Sequence, residues 1–304
     1  MNNKYKYKLA KIICSLLPPI IAPTIRSKII SIEDGEKLAL NFTRKSFTGG
    51  YFNGNTNDFH AFKFSIHGFF DWRNVMISKV IIEKFIKGDI IEVGANIGTE
   101  TIGFSDVSNA HNLKTFAYEP LTENVKHIEN LKRHNNLSNL NIYQKLVSDY
   151  SGMAKFKIPD ANQSGSGFIS DELGTESFEV IKLDDFHKDN VISLICCDVE
   201  GFEYQVLRGA TGIIEKNAPF LILEVNKNYL NTRANISLEH FYDFIVSKKY
   251  TPYYIKPLGL EKIDIHNYKN LSNKNWLCIP MHAAHAEKAI SNKICLSAFN
   301  PFLN

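Results

Sequence analysis

The stretch Ile90-Ile91-Glu92-Val93-Gly94-Ala95-Asn96-Ile97-Gly98-Thr99 decides the fold. Four residues form a short apolar strand that carries one acid. A tight turn with two glycines follows, and then a helix start. Glycine permits backbone geometry and close approach that a side chain would block. The helix start adds free N–H groups beside the strand end. The spacing is Gly-x-x-x-Gly, so the dinucleotide fingerprint Gly-x-Gly-x-x-Gly is not met. No Lys-Ser/Thr pair follows, which excludes a P-loop. Alone, the stretch reads equally well as a plain strand–helix turn.

Strands and helices alternate downstream of it. Thr115–Tyr118 is the next strand, then a helix over Glu123–Asn135 and a third strand over Asn141–Leu146. Met153–Ile158 is strand-like, and Ala161–Gly174 is a Gly/Ser-rich loop whose Gly165–Ser170 part is expected to close over a site. Val191–Cys197, apolar apart from Ser193, reads as a parallel strand covered on both faces, and Pro219–Val225 as another buried strand. Leu238–Lys248 is a helix, and Tyr250–Lys256 with Asn275–Ile279 is expected to close the sheet as an antiparallel pair. Upstream, Val75–Phe85 has helical spacing. Lys28–Ser31, Lys37–Asn41 and Ala61–Ile66 are expected as strands of a β-rich lead-in. Alternation of this kind predicts a parallel sheet with helices on both faces, binding its ligand at the carboxyl ends of the strands.

Acids punctuate those strand ends. Glu119 ends the second strand, where a carboxylate can accept from two vicinal ribose hydroxyls. Gly94 and Glu119 together specify an adenosine-type ligand. A carboxylate at Glu92 would repel a pyrophosphate and favour the sulfonium and ammonium of S-adenosylmethionine. Asp198-Val199-Glu200-Gly201 leaves the apolar strand with two carboxylates facing one cleft. Helix capping by Asp198 explains part of that pattern and is compatible with catalysis. Glu224 and Asn226 share one face at the end of the next strand. The histidines lack mutual spacing and read as surface or core residues, and Cys196 and Cys197 read as inert packing.

These motifs occur in order with Phe116-Ala117-Tyr118-Glu119-Pro120, Leu183-Asp184-Asp185, Glu203, Leu207-Arg208-Gly209-Ala210 and Leu221-Ile222-Leu223-Glu224. The series resembles the FkbM family of methyltransferases over about residues 68–226, and more loosely to Ile279. The resemblance implies a class I, Rossmann-like α/β sandwich, mostly parallel, with a C-terminal antiparallel hairpin. It implies an S-adenosylmethionine-dependent enzyme that O-methylates a sugar, glycoconjugate or natural product. Cys196 stands where the family usually has Lys, and Asn226 where similar sequences often have His.

The expected donor-binding residues are Glu92, Gly94, Ala95, Asn96, Gly98 and Glu119. The expected catalytic residues are Asp198 and Glu200. No metal is expected; the alternative is Mg²⁺ on Asp198, Glu224 and Asn226. The other readings are an adenosyl-binding scaffold without turnover and an NAD-dependent oxidoreductase.

Composition frames this reading. Hydrophobic residues are 44% and charged residues 22%, which excludes a disordered chain. Five cysteines in 304 residues exclude a disulfide scaffold and suggest the cytosol. The net charge of +3 is uneven. Residues 1–30 hold Lys4, Lys6, Lys8, Lys11, Arg26 and Lys28 and no acid, so the rest sums to −3. No nucleic-acid partner is expected of such a body. The fourteen uncharged residues Ile12–Ile25 fall short of the about 20 that span a bilayer, and Pro18, Pro19 and Pro23 interrupt them. A cleaved signal is not expected, because no small-x-small site follows. A helix over about Tyr5–Leu17 is expected, packed on the domain or, alternatively, peripherally anchored through residues 4–26 at the inner membrane face. The expected division is an extension over 1–67, a methyltransferase domain over 68–280 and a tail over 281–304.

Overall fold

A computed structural model of the chain describes residues 2–158, 167–170, 172–265 and 274–303. It opens with helices α1 (Asn3–Cys14), α2 (Ala22–Ile29) and α3 (Ile32–Glu36). The hairpin β1 (Asn41–Lys45) and β2 (Tyr51–Asn55) follows, then α4 (Phe59–His67) and α5 (Trp72–Lys84). The alternating region contains β3 (Asp89–Val93), α6 (Thr101–Ala110), β4 (Thr115–Tyr118), α7 (Thr122–His134) and β5 (Leu140–Tyr143). Next come the short strands β6 (Leu146–Val147), β7 (Gly152–Lys157), β8 (Phe168–Ile169) and β9 (Glu176–Ile181), and helix α8 (Leu183–Phe186). Strand β10 (Ile192–Cys197) leads to α9 (Glu203–Arg208) and α10 (Thr211–Asn217), and β11 (Phe220–Val225) to α11 (Lys227–Ala234) and α12 (Leu238–Ser247). The chain closes with β12 (Tyr250–Lys256), β13 (Gly259–Lys262), β14 (Lys274–Pro280) and α13 (Ala286–Ala298).

The main sheet has the order β13-β12-β14-β11-β10-β3-β4-β5. Strands β5, β4, β3, β10 and β11 are parallel, and β14 is antiparallel to both β11 and β12. From β3 the chain winds outward to β4 and β5, then returns to β10 on the other side. The strand order therefore reverses between β3 and β10, and a cleft opens at their carboxyl ends.

Alternation sorts side chains onto the two faces. Ile91, Val93, Ile195, Cys197, Leu221 and Leu223 pack with Leu207 of α9 and Phe241 and Ile245 of α12. Ile90, Leu194, Cys196, Phe220 and Ile222 pack with α5, Phe104 of α6, and Ile290 and Ile294 of α13. The C-terminal residues thus belong to the core on that face. All six residues of β10 are buried, which explains its uncharged run; the one polar side chain, Ser193, donates to the Gly88 carbonyl (2.7 Å).

The lead-in differs from the sequence expectation. Lys28 lies in the last turn of α2, and Ser31 caps α3 by accepting from the Asp34 N–H at 3.0 Å. Of Lys37–Asn41, only Asn41 enters a strand. Ala61–Ile66 lies inside α4, which Asp58 caps at the Ala61 N–H (2.9 Å) and Gly68 ends in the left-handed region (φ +77°). Helix α4 buries residues on nearly every side, so its helical period is masked. The third strand stops at Tyr143, and Leu146–Val147 joins a second sheet of order β6-β9-β7-β8.

Candidate active site

The β3 motif folds around Gly94. Its φ of +87° suits glycine, and a Cβ there would lie 1.9 Å from the Asp198 carbonyl oxygen. The loop after β3 and the loop after β10 are thus in backbone contact. Glu119 ties down the same loop. Its Oε2 accepts from the Asn96 N–H (2.9 Å), and its Oε1 accepts from the Leu121 N–H (3.0 Å) and from Asn124 Nδ2 (3.1 Å). Burial pushes its carboxyl up to about 7, against the pull of those three donors.

A cavity of about 610 Å³ opens at the strand ends. Gly94, Asn96, Glu119, Asp198, Glu200 and Glu224 border it, and Phe168 and Ile169 of β8 form one side. Of the Gly165–Ser170 segment, Gly167 also lines it; Gly165 and Ser166 lie outside the described residues. Glu36 of α3, Phe59 and His60 of α4, and Phe70 form another side, and Lys145 is a basic residue on the wall.

A smaller cavity of about 60 Å³ adjoins it, bordered by Glu92, Ala95, Thr99, Glu100, Asn74, Cys196 and Asn275. Asp198 and Glu224 border both cavities. Burial pushes the Glu92 carboxyl up to about 8, against the pull of the nearby Thr101 hydroxyl and with Glu119's charge adding to it. Glu92 Oε2 is buried with no hydrogen-bond partner among the described residues. Glu100 receives both of its hydrogen bonds from Asn74 Nδ2 (3.1 Å each), and burial holds its carboxyl well above the usual range. Among the described residues lining this cavity there is no Lys or Arg. Cys196 borders this cavity, and burial beside Glu100 and Glu92 keeps its thiol neutral.

Asp198 and Glu200 sit on one loop with different environments. Asp198 faces the cavity beside Glu224, and enclosure at that wall together with the charge of Glu224 raises its carboxyl well above the usual range. Glu200 has a left-handed backbone (φ +56°) and accepts from Arg233 Nη1 at 3.4 Å. Arg233 also donates to the Glu200 carbonyl (3.0 Å) and lies between the rings of Tyr229 and Phe168, 3.5 and 4.0 Å from their centroids. Burial brings Glu200 up to about 7, with Arg233 opposing. Glu203, fully buried, fixes the loop by accepting from the Val199 (3.3 Å) and Gly201 (3.1 Å) N–H groups.

Two expected residues lie elsewhere. Gly98 borders neither cavity and packs on Leu131 and Ile128 of α7. Asn226 also borders neither. Its Oδ1 accepts from the Asn228 (3.0 Å) and Tyr229 (3.2 Å) N–H groups and caps α11. The alternative Mg²⁺ set therefore loses a ligand, and among the described residues no group of three or more His, Cys, Asp or Glu is arranged for a metal. The sequence reading missed Asn74, Glu100, His60 and Arg233. Glu100 directly follows the glycine turn, so its place at a helix start was a usable signal. His60 and Arg233 carry no local pattern, because the fold brings them from distant segments.

The sequence matches the methyltransferase FkbM domain over residues 92–251. The chain belongs to the FkbM methyltransferase family. Its fold is the Rossmann-like class I methyltransferase sandwich expected above. An FkbM methyltransferase structure from Methylobacillus flagellatus is similar at 15% identity and a TM-score of 0.43, covering 90% of this chain. This FkbM-family chain spans 58% of that protein's length. An rRNA methylase from Streptococcus thermophilus overlaps 68% of the chain and 95% of its own, at 11% identity and a TM-score of 0.40. SMU.1697c from Streptococcus mutans, in complex with SAH, overlaps 68% and 97% at 10% identity and 0.40. No curated protein matches the sequence.

Proposed function

We propose that this FkbM-family chain transfers a methyl group from S-adenosylmethionine to a hydroxyl of a sugar, glycoconjugate or natural product. The observation that carries the reading is the convergence of Glu92, Glu119, Asp198, Glu200 and Glu224 on two joined cavities at the strand-order reversal. That acidic wall suits a donor carrying two positive charges. Glu92 Oε2, buried without a partner among the described residues, is the natural acceptor for the ammonium end. Gly94 lets the loop after β3 pass against the Asp198 carbonyl, which brings the two loops of the site together. Glu119 would hold the ribose. Three of its roughly four lone pairs are filled, so it accepts one hydroxyl on Oε2, and a second only if Asn124 releases Oε1.

The bound donor supplies an electrophilic methyl on a sulfonium. The acceptor oxygen must align with it and lose its proton. Asp198 stands beside Glu224, and that neighbouring acid disfavours its charged form. Glu200, near 7, exchanges a proton at neutral pH, so Glu200 is the general base. Phe59, Phe70 and Phe168 offer apolar faces to a sugar ring. A cytosolic setting matches five free cysteines.

Calorimetry with S-adenosylmethionine and NAD, and mass spectrometry of glycan acceptors, test this reading. It expects binding of the first ligand, none of NAD, and a mass gain of one methylene on an acceptor. Glu200→Gln should lower kcat about 10²–10⁴-fold and remove the acid limb of the rate profile near pH 7. A wild-type pH profile in that variant would reassign the base. Binding without turnover on any acceptor would favour the scaffold.

A further inference from the structure

The first helix and the last turn of the chain both carry exposed apolar side chains, and the turn after the helix meets the C-terminal residues. On α1, Tyr5, Lys8 and Ile12 point outward, and Leu16 continues the line beyond its end, while Tyr7, Ala10 and Cys14 face inward. Leu16 is 73% exposed and Ile12 62%. The inward face packs with Ala22, Ile30, Phe62 and Ile66. The proline-rich turn then runs against the C-terminus, where the Ile20 N–H donates to the Ala298 carbonyl (3.2 Å). Next to that contact, Ile21, Phe299 and Phe302 are exposed, Phe302 by 89%. Single exposed apolar residues need no explanation, but a group gathered at one corner does.

The charge of this segment is one-sided in sequence, although Arg26 is buried and Asp34 of α3 accepts from Asn3 Nδ2 (3.0 Å). The first thirty residues hold six basic residues and no acid. Lys4, Lys8 and Lys28 are exposed. Nucleic acid would use the lysines and leave the apolar side chains in water. A second copy would bury the apolar side chains and bring like charges together. An anionic bilayer uses both, because lysines stay at the headgroups while Ile, Leu and Phe enter the acyl boundary. No described helix is long and apolar enough to cross a membrane.

We propose that α1, the turn after it and the residues following α13 form a peripheral docking face for an anionic lipid surface. The inference does not depend on the methyl donor or acceptor. It places the bilayer beside the N-terminal layer whose α3 and α4 wall the large cavity.

Co-sedimentation of the full-length protein with phosphatidylglycerol/phosphatidylcholine vesicles, and with phosphatidylcholine alone, tests it. The protein should pellet with the anionic vesicles, remain in solution with the neutral ones, and be released by high salt. Lys4→Gln with Lys8→Gln should weaken binding roughly thirtyfold, at about 1 kcal/mol per lysine. Leu16→Glu with Phe302→Glu should abolish it, and circular dichroism should show both variants folded. No pelleting of the wild type, or unchanged binding by both folded variants, would overturn the proposal. So would a wild-type dimer in light scattering that Leu16→Glu with Phe302→Glu dissolves, since the face would then belong to a second copy.

Discussion

Glu119 both builds the site and faces into it. It orders the Asn96 loop with one oxygen and the start of α7 with the other, and burial keeps its carboxyl near 7. A glutamine keeps the shape but turns an NH₂ toward one of these donors. Glu119→Gln should therefore weaken S-adenosylmethionine about ten- to hundredfold by calorimetry, the worth of a hydrogen bond to a charged group. Glu119→Ala should lose at least as much, and unchanged affinity in either would remove Glu119 from the ribose. The residue type and its place at a strand end were legible in the sequence. Its three internal partners were not, since Asn96 and Asn124 reach it only once the loop and α7 are folded. Asn226 is the opposite case. Its strand-end position suggested a ligand, and capping claimed its oxygen instead.

The turn between β3 and α6 depends on one contact. Gly94 passes so close to the carbonyl of Asp198 that Gly94→Ala must open the two loops or distort a left-handed residue. We expect a loss of at least about 2 kcal/mol in unfolding free energy, from the conformational and overpacking costs together. A denaturant titration measures it, and a midpoint equal to wild type would contradict the contact. The parallel strands were readable because burial on both faces removes polar interruption. Helix α4 was misread for the same reason: a segment buried nearly all round hides its period. Strand β9 was missed altogether. Its inward Phe178 and Val180 alternate with Glu and Ser over only six residues, and its partner β7 precedes a long loop.

Across the whole molecule, buried acids and buried histidines set opposite pH dependences. Glu92 (about 8), Glu119, Glu200 and Glu203 (each about 7) bind protons more tightly folded than unfolded. Their effect is to lower stability as pH rises from about 4.5 to 8. His60, pushed down to about 4, and His127 and His187, also lowered, bind protons less tightly folded, so their effect raises stability up to about 6.5. The two sets oppose below that point, and only the carboxylates titrate above it. The melting temperature should therefore fall between pH 6.5 and 8 in a calorimetric scan, and a flat profile would remove the buried-acid account. The N-terminal layer has a further consequence. Glu36, Phe59, His60 and Phe70 wall the large cavity, yet all precede the matched domain at residue 92. Exchanging the leading segment would therefore reshape one side of the cavity while the glycine turn, the strand-end acids and the Phe168–Ile169 side stay intact. Part of the gatekeeping thus lies on a stretch of the gene separable from the chemistry.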